Sequence, residues 1–166
     1  MFRTLLSGLR APLTEPPAAD AELAALGAAL DAAARRRLGR SLSIRAVDAG
    51  SCNGCELELH ALNNAYYDLE RFGLRFVASP RHADVLMVTG PVSRNMREAL
   101  VRTWAATPDP KWVVAVGDCG AGCGVFAASE ACIGSVAKVL PVDLTIPGCP
   151  PPPARLLAGL RALLDS

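Results

Sequence analysis

Four cysteines stand where the strands of a parallel sheet would end. Cys52 and Cys55 form a C-x-x-C pair, Cys119 follows Val-Gly-Asp, and Cys149 lies in Ile-Pro-Gly-Cys-Pro-Pro. Each group comes directly after a short apolar run that predicts a strand. Ligands of open α/β sheets gather at the carboxyl ends of the strands, so cysteines far apart in the sequence can converge there. Four thiolates at one point would bind a metal centre.

Two kinds of metal centre fit four cysteine ligands, namely tetrahedral zinc and an iron–sulfur cluster. Structural zinc more often uses two close C-x-x-C pairs, whereas this chain has one pair and two single cysteines. The scattered arrangement favours a cubane, whose four irons lie at separate corners. A helix predicted to begin near Glu56 would direct backbone N–H groups at Cys52 and Cys55 and favour their thiolate forms. The alternative is a zinc-stabilised α/β binding module without a redox role.

Length, charge and cysteine content narrow the class of protein. The 166 residues are enough for one domain with a substantial core. The net charge of +1 argues against broad nucleic-acid binding, which needs clustered Lys and Arg. We find no signal peptide and no run of the ~18 apolar residues that a membrane span needs. A cytoplasmic location is therefore expected, where cysteine clusters more often bind metal than form disulfides.

The apolar pattern predicts an N-terminal helical extension over residues 1–41 and an α/β domain over residues 42–166. Met1–Ala19 has one apolar helical face and three prolines, which fits a disordered terminus or a short amphipathic segment on a membrane or partner. Asp20–Arg40 predicts a helix, and the arginines at its end predict a solvated or partner-facing patch.

The domain itself alternates between strand and helix patterns. Strands are predicted at Ser43–Val47, Leu74–Ala78, Asp84–Thr89, Trp112–Val116 and Val142–Ile146, and helices at Leu57–Phe72, Val92–Trp104, Ser129–Lys138 and Pro151–Leu164. This alternation predicts a doubly wound α/β fold with a mostly parallel five-stranded sheet. No Ser/His/Asp arrangement or carboxylate pair stands out, so no catalytic residue is predicted in this chain.

Four segments together resemble one protein family. They are CNGCELE at 52–58, SPRHADVLMVTG at 79–90, GDC at 117–119 and PVDLTIPGCPP at 141–151. The set resembles the family shared by the 20 kDa iron–sulfur subunit of respiratory complex I and the small subunit of nickel–iron hydrogenases. It is most similar to the membrane-bound, energy-converting hydrogenases of the formate hydrogenlyase type. The resemblance covers about Ser43 to Leu164.

The resemblance implies a flavodoxin-like fold and an electron-transfer role in an oxidoreductase complex. It implies one proximal 4Fe-4S cluster with Cys52, Cys55, Cys119 and Cys149 as ligands. The implied partners are a hydrogenase-like or complex I-like large subunit, which would carry the nickel or quinone site, a ferredoxin-like iron–sulfur subunit and a membrane subunit. The implied location is peripheral, on the cytoplasmic side of the cell membrane.

The spacing at the first site distinguishes two branches of that family. The complex I branch usually has two adjacent cysteines there, whereas this chain has C-x-x-C, the hydrogenase pattern. The chain also lacks the C-terminal extension that holds further clusters in many soluble hydrogenases, which favours the single-cluster, membrane-associated group. A complex I-type subunit that acts in quinone reduction is the alternative.

Two further cysteines and two charged residues lie outside the implied ligand set. Cys123 stands where relatives usually have glycine and is an alternative ligand to Cys119, although Cys119 keeps the strand-end position. Cys132 is predicted to be a buried apolar thiol in a short helix. By resemblance, Glu58 is an acid beside the cluster with a proton-transfer or interface role. Arg81 is predicted to face a subunit interface or to offset the charge of the cluster.

Overall fold

The computed structural model describes residues 20–126 and 128–166, so the predicted Met1–Ala19 segment lies outside the described residues. The helices are α1 (Asp20–Leu38), α2 (Gly54–Ala61), α3 (Arg97–Ala106), α4 (Gly117–Ala121) and α5 (Pro153–Asp165). The strands are β1 (Leu42–Asp48), β2 (Leu74–Phe76), β3 (Val85–Thr89), β4 (Val92–Ser93), β5 (Trp112–Val116), β6 (Cys132–Gly134) and β7 (Leu144–Ile146). Short 3₁₀ turns lie at Leu69–Phe72, Pro80–His82 and Val136–Lys138.

Five strands form one parallel sheet in the order β2-β1-β3-β5-β7. This is the flavodoxin-like strand order: β2 lies on one side of β1, and β3, β5 and β7 follow one another on its other side. All five residues of β3 are buried. That is expected for a strand covered on both faces, where an apolar run replaces alternation. The predicted doubly wound, flavodoxin-like fold is confirmed. Separately, β4 and β6 form a small antiparallel pair.

The sheet divides the core into two layers because successive side chains of a strand point to opposite faces. Val85 and Met87 of β3 pack in a cluster with buried residues of α1, α2 and α5. Leu86 and Val88 pack in the second cluster, which includes Leu100 of α3. In the part of the chain that is described, no helix is long and apolar enough to cross a membrane.

Helix α1 packs into the first of these layers and is tied to α5 by its arginines. Its buried residues include Leu30 and Ala33. Arg37 Nη1 donates to the backbone carbonyls of Leu163 and Leu164, both at 3.2 Å. Carbonyls in the last turn of a helix lack intrahelical partners and carry partial negative charge, so a cation is favourable there. Arg35, Arg36 and Arg37 are all exposed, as a solvated patch requires, and Arg37 in addition binds the end of α5.

The helix predicted at Leu57–Phe72 is wrong beyond Ala61. Helix α2 ends at Ala61, and a 3₁₀ turn follows only at Leu69–Phe72. Between them, the Asn64 side chain accepts hydrogen bonds from the backbone N–H groups of Tyr66 and Tyr67, both at 2.9 Å. An Asx turn of this kind competes with the helical hydrogen bonds, although the apolar spacing is helical.

Two further predicted helices are partly strand. The predicted helix at Val92–Trp104 begins with β4, and α3 starts only at Arg97. The predicted helix at Ser129–Lys138 contains β6 and a 3₁₀ turn. In both cases the antiparallel pairing of β4 with β6 supplies backbone hydrogen bonds from outside the local segment. Cys132, predicted to be buried in a helix, is half-buried on β6.

A buried carboxylate, that of Asp84, lies at the end of the sheet where its strands begin, opposite to the end where they finish. Asp84 is 2% exposed. Its Oδ2 accepts from Arg40 Nη1 at 2.9 Å and from the Ser43 backbone N–H at 2.9 Å. The hydrogen bond to Asp84 raises the pKa of Arg40. The carboxylate thus joins the start of β1 to the start of β3.

We predict that Asp84→Ala lowers the free energy of unfolding by about 2–3 kcal/mol, because it leaves the Ser43 N–H without its acceptor and Arg40 without its partner. Urea unfolding of the full chain measures this. The matched control is Glu98→Ala, which removes an exposed i,i+4 pair with Arg102 and should cost less than about 0.5 kcal/mol. Equal losses in both variants would contradict the structural role of Asp84.

Candidate metal centre

The four strand-end cysteines line one cavity at the carboxyl edge of the sheet. Its volume is about 120 Å³, and its lining comprises Ser51, Cys52, Gly54, Cys55, Gly90, Asp118, Cys119, Gly148, Cys149 and Pro150. A single water needs only about 10–15 Å³ by the same kind of measure, so the cavity has room for a much larger group. The lining comes from the segments that follow β1, β3, β5 and β7, the four adjacent strands from β1 to the β7 edge.

The cysteines differ in exposure. Cys52 and Cys149 are exposed, whereas Cys55 and Cys119 are half-buried. All six cysteines of the chain are free thiols. The site therefore presents two sulfurs at its mouth and two at its floor.

Carboxylates fix the loops that carry these cysteines. After β1, Asp48 Oδ1 accepts from the backbone N–H groups of Gly50 at 2.7 Å and Ser51 at 2.8 Å, which closes an Asx turn ahead of Cys52. At the other side of the cavity, Asp118 Oδ1 accepts from the Gly148 N–H at 2.8 Å. The Asp118 N–H in turn donates to the Gly148 carbonyl at 2.9 Å. This reciprocal pair links the loop of Cys119 to that of Cys149.

At two glycines, the absence of a side chain leaves room for the sulfurs of Cys55 and Cys119. A Cβ on Gly117, whose φ is +79°, would lie 2.7 Å from Cys55 Sγ. A Cβ on Gly124 would lie 2.3 Å from Cys119 Sγ. Real Cβ atoms essentially never approach a neighbour this closely, so the loops are shaped around the sulfurs. The glycine-rich segment that follows β5 is partly helical, as α4, rather than a plain loop.

At Cys55 and Cys119, the surroundings disfavour the charged thiolate form of the free side chain. Burial raises the pKa of Cys55 to about 12, helped by the negative charge of Glu56 and then by the other three cysteines. Burial likewise raises the pKa of Cys119, although the backbone N–H groups of Phe126 and Val125 partly oppose this. The expected preference for the thiolate form at the start of α2 is therefore wrong for Cys55, where burial and then the neighbouring negative charges favour the protonated thiol.

Glu56 is a part of the site that the sequence did not single out. Its Oε2 accepts from Ser51 Oγ at 2.6 Å, and its Oε1 accepts from Thr89 Oγ1 at the end of β3. The one signal in the sequence was its position directly after Cys55, in the first turn of a helix, where acids are favoured.

The remaining predicted residues lie away from the cavity lining. Glu58 is half-exposed on α2, where its charge adds to the effect of burial in raising the pKa of Tyr67. Arg81 lies in the 3₁₀ turn before β3, at the edge where the strands begin, opposite the cysteines. Cys123 is exposed, its thiol 3.5 Å from the Asp118 carbonyl oxygen, and it does not line the cavity.

The spacing of the side chains bears on what the cavity could hold. Across the described ranges, no group of three or more His, Cys, Asp or Glu residues has the arrangement of a single metal-ion site. A tetrahedral zinc ion needs four sulfurs about 2.3 Å from one point. The four thiols instead line a shared cavity of about 120 Å³, which leaves room for a group larger than one ion.

Comparison with known proteins finds one matching family and several similar proteins. The family described as "NADH ubiquinone oxidoreductase, 20 Kd subunit" matches residues 52–163. Formate hydrogenlyase subunit 7 of Escherichia coli K12 is 41% identical over 158 residues, which cover 95% of this chain and 59% of that protein. The chain thus spans somewhat more than half of the length of this relative.

Two other comparisons cover more of the matched protein. A protein of Pyrococcus furiosus described as a probable membrane-bound hydrogenase subunit is 44% identical over 128 residues, or 77% of each chain. A chain in the solved structure of the membrane-bound sulfane sulfur reductase, an archaeal respiratory membrane complex, superposes with a TM-score of 0.68 at 35% identity. That match covers 80% of this chain and 71% of the other.

We predict that Gly117→Ala destabilises the chain more than Gly39→Ala does. Both glycines have positive φ, +79° and +69°, but a Cβ on Gly39 meets nothing within 4 Å. Gly39→Ala should therefore cost only the backbone strain of about 1–2 kcal/mol. Gly117→Ala should cost at least about 1 kcal/mol more, because its Cβ collides with Cys55 Sγ. Urea unfolding of both variants measures the difference, and equal losses would contradict the close approach.

We also predict that Cys55 of the metal-free chain reacts slowly with iodoacetamide at pH 8, and that its rate rises as the pH approaches about 12. The thiolate is the reactive form, and the raised pKa leaves little of it at lower pH. Exposed Cys149 is the internal comparison. Mass spectrometry of the alkylated peptides gives both rates, and equal rates at pH 8 would contradict the burial effect.

Proposed function

The chain belongs to the family of the 20 kDa subunit of NADH ubiquinone oxidoreductase, and on that premise we propose that it is an electron-transfer subunit of a membrane-associated oxidoreductase complex. In this proposal it holds one 4Fe-4S cluster through Cys52, Cys55, Cys119 and Cys149. The end reaction takes place largely on a partner, since no catalytic residue is assigned to this chain.

The observation that carries the proposal is the shared cavity of the four cysteines. They come from three separate strand-end segments, yet all four line the same space of about 120 Å³. The glycines beside Cys55 and Cys119 leave room for sulfur where any side chain would collide. A cavity whose only thiols are these four has the donor set of a Cys₄ iron–sulfur site.

The origin of the cysteines supports a cluster rather than zinc. Structural zinc more often uses two close C-x-x-C pairs, whereas here one pair and two single cysteines come from three strand ends and line a cavity of about 120 Å³. A four-iron cluster takes each thiolate at a different iron, so its ligands stand farther apart. When bound, such a cluster supplies reversible one-electron transfer.

The residues of the chain would hold and tune this group in distinct ways. Cys55 must lose its proton on binding, because its pKa of about 12 keeps the free thiol neutral. The reciprocal hydrogen bonds of Asp118 and Gly148 hold the loops of Cys119 and Cys149 at a fixed separation. Burial of two of the four sulfurs limits contact with water, which is one of the levers on a reduction potential.

A partner surface is proposed around the mouth of the cavity. Large apolar side chains are exposed on segments next to ligand cysteines: Leu57 is 61% exposed, Val125 79% and Phe126 39%. Leu57 lies two residues after Cys55, and the N–H groups of Val125 and Phe126 reach Cys119. Exposed apolar residues grouped in this way are typical of an interaction site.

The relatives indicate what would cover that surface. They are named as subunits of a formate hydrogenlyase and of a membrane-bound hydrogenase. We therefore propose a hydrogenase-like or complex I-like large subunit at the cavity mouth, a ferredoxin-like iron–sulfur subunit as electron donor or acceptor, and a membrane subunit that anchors the complex. The proposed location is peripheral, on the cytoplasmic side of the cell membrane. The C-x-x-C spacing favours the hydrogenase type over quinone reduction.

We predict that the anaerobically purified, dithionite-reduced chain shows a fast-relaxing paramagnetic resonance signal at low temperature and contains about four irons and four sulfides, the content of one cubane. Changing Cys52, Cys55, Cys119 or Cys149 to Ser should abolish or strongly reduce both. Cys123→Ser and Cys132→Ser are the matched controls and should keep them.

The same samples separate the competing assignments. Zinc in stoichiometric amount without a reducible iron signal would overturn the electron-transfer proposal in favour of a zinc-stabilised module. Loss of the cluster in Cys123→Ser with retention in Cys119→Ser would overturn the proposed ligand set while leaving the cluster in place.

A further inference from the structure

Both oxygens of the Glu56 carboxylate are engaged by hydroxyl groups from different parts of the fold. Ser51 Oγ, in the loop after β1, donates to Oε2 at 2.6 Å. Thr89 Oγ1, at the carboxyl end of β3, donates to Oε1. Ser51 Oγ also accepts from the backbone N–H of Asn53 at 3.0 Å, which continues the network into the Cys52–Cys55 loop.

These contacts define a clamp made of Ser51, Glu56 and Thr89. Thr89 is 1% exposed and is paired in register with Asp48 of β1 and Val116 of β5, so it is a rigid anchor. Glu56 lies in the first turn of α2, directly after Cys55. The clamp therefore ties the segment that holds two of the four cysteines to the central strand of the sheet.

The loop after β1 packs closely against the end of β3, so the segment that holds Cys52 and Cys55 moves only together with the clamp. A Cβ on Gly90, the residue after Thr89, would lie 2.6–2.8 Å from the Cβ, Cα and N of Ser51. The backbone of Ala49 donates to the Thr89 carbonyl at 3.1 Å. The loop after β1 thus lies directly on the end of β3, where Thr89 meets Glu56.

We propose that Glu56 is a positioning residue for the cluster. Held by Ser51 and Thr89, it fixes the Cys52–Cys55 loop against β3 and sets a negative charge beside the ligand sulfur of Cys55, and this charge lowers the reduction potential of the bound cluster. The inference rests on the proposed function, because it needs a cluster at this site.

The physical basis is the cost of adding an electron next to a fixed negative charge. The two groups that hold Glu56 are neutral hydroxyls, so they orient the carboxylate without cancelling its charge. Glu56 directly follows Cys55 in the chain, and both of its carboxylate oxygens are held by hydrogen bonds, so its charge has a fixed position next to a proposed ligand. In a partly buried site the effect of such a charge is weakly screened by water and salt.

The first test compares Glu56→Gln with Glu98→Gln in the full chain, each loaded with cluster and checked for four irons. Glu98 is the control because it is an exposed glutamate of α3, a helix that does not line the cavity. Paramagnetic resonance during a redox titration gives the reduction potential. We expect Glu56→Gln to raise the equilibrium constant for reduction about tenfold, which is 59 mV for one electron. Glu98→Gln should leave the potential unchanged.

The second test separates positioning from charge. Thr89→Val removes one hydroxyl at constant side-chain size and should broaden the resonance signal, since the Cys52–Cys55 loop would lose its single position. Thr89→Ser keeps the hydroxyl and should restore the wild-type line shape. A wild-type signal in Thr89→Val would overturn the clamp.

The outcomes distinguish this inference from the proposed function. A wild-type chain that holds no reducible four-iron cluster would remove the premise, and the proposed function would fail with it. A wild-type chain with a cluster, whose potential is the same in Glu56→Gln, would overturn only the role of Glu56. Equal shifts in Glu56→Gln and Glu98→Gln would also overturn it, because they would show a general effect of the charge of the chain.

Discussion

The parallel direction of the five strands is the constraint on which the site depends. Because β1, β3, β5 and β7 all run the same way, their carboxyl ends meet at one edge of the sheet. Each cysteine of the cavity lies only a few residues beyond the end of its strand. Cys52 comes four residues after the end of β1, and Cys119 and Cys149 each come three residues after β5 and β7. Short loops of this kind have few conformations to lose when they are fixed.

The same loops are held by carboxylates, of which Glu56 and Asp118 are half-buried, and this gives the site its electrostatic character. Asp48 and Asp118 satisfy backbone N–H groups in the loops, and Glu56 takes the hydroxyls of Ser51 and Thr89. The site therefore assembles from acceptors and thiols, with desolvation raising the pKa of Cys55. A bound cationic metal core would offset that accumulation of negative groups, since metal binding displaces the thiol protons.

The rest of the chain supports the sheet from both faces and at the end where its strands begin. Helices α1, α2 and α5 share one apolar layer, and α3 contributes to the other. At the opposite edge, Asp84 joins the starts of β1 and β3 through Ser43 and Arg40. The predicted helices are wrong where hydrogen bonds from side chains or from another strand override the local apolar spacing. The Asx turn at Asn64 ends a helix, and the pairing of β4 with β6 converts two predicted helices in part to strand.

The sequence by itself determined the alternation of strands and helices, the parallel sheet and the four strand-end cysteines, because apolar runs, strand ends and C-x-x-C spacing are local features. It did not determine the contact of Glu56 with Thr89, the reciprocal contact of Asp118 with Gly148, or the high pKa of Cys55. Those depend on segments more than 25 residues apart and on burial, which exist only once the strands are aligned. Local patterns predicted which residues reach the site, whereas tertiary packing decided which acid stands beside the sulfur and what charge state the free thiols keep.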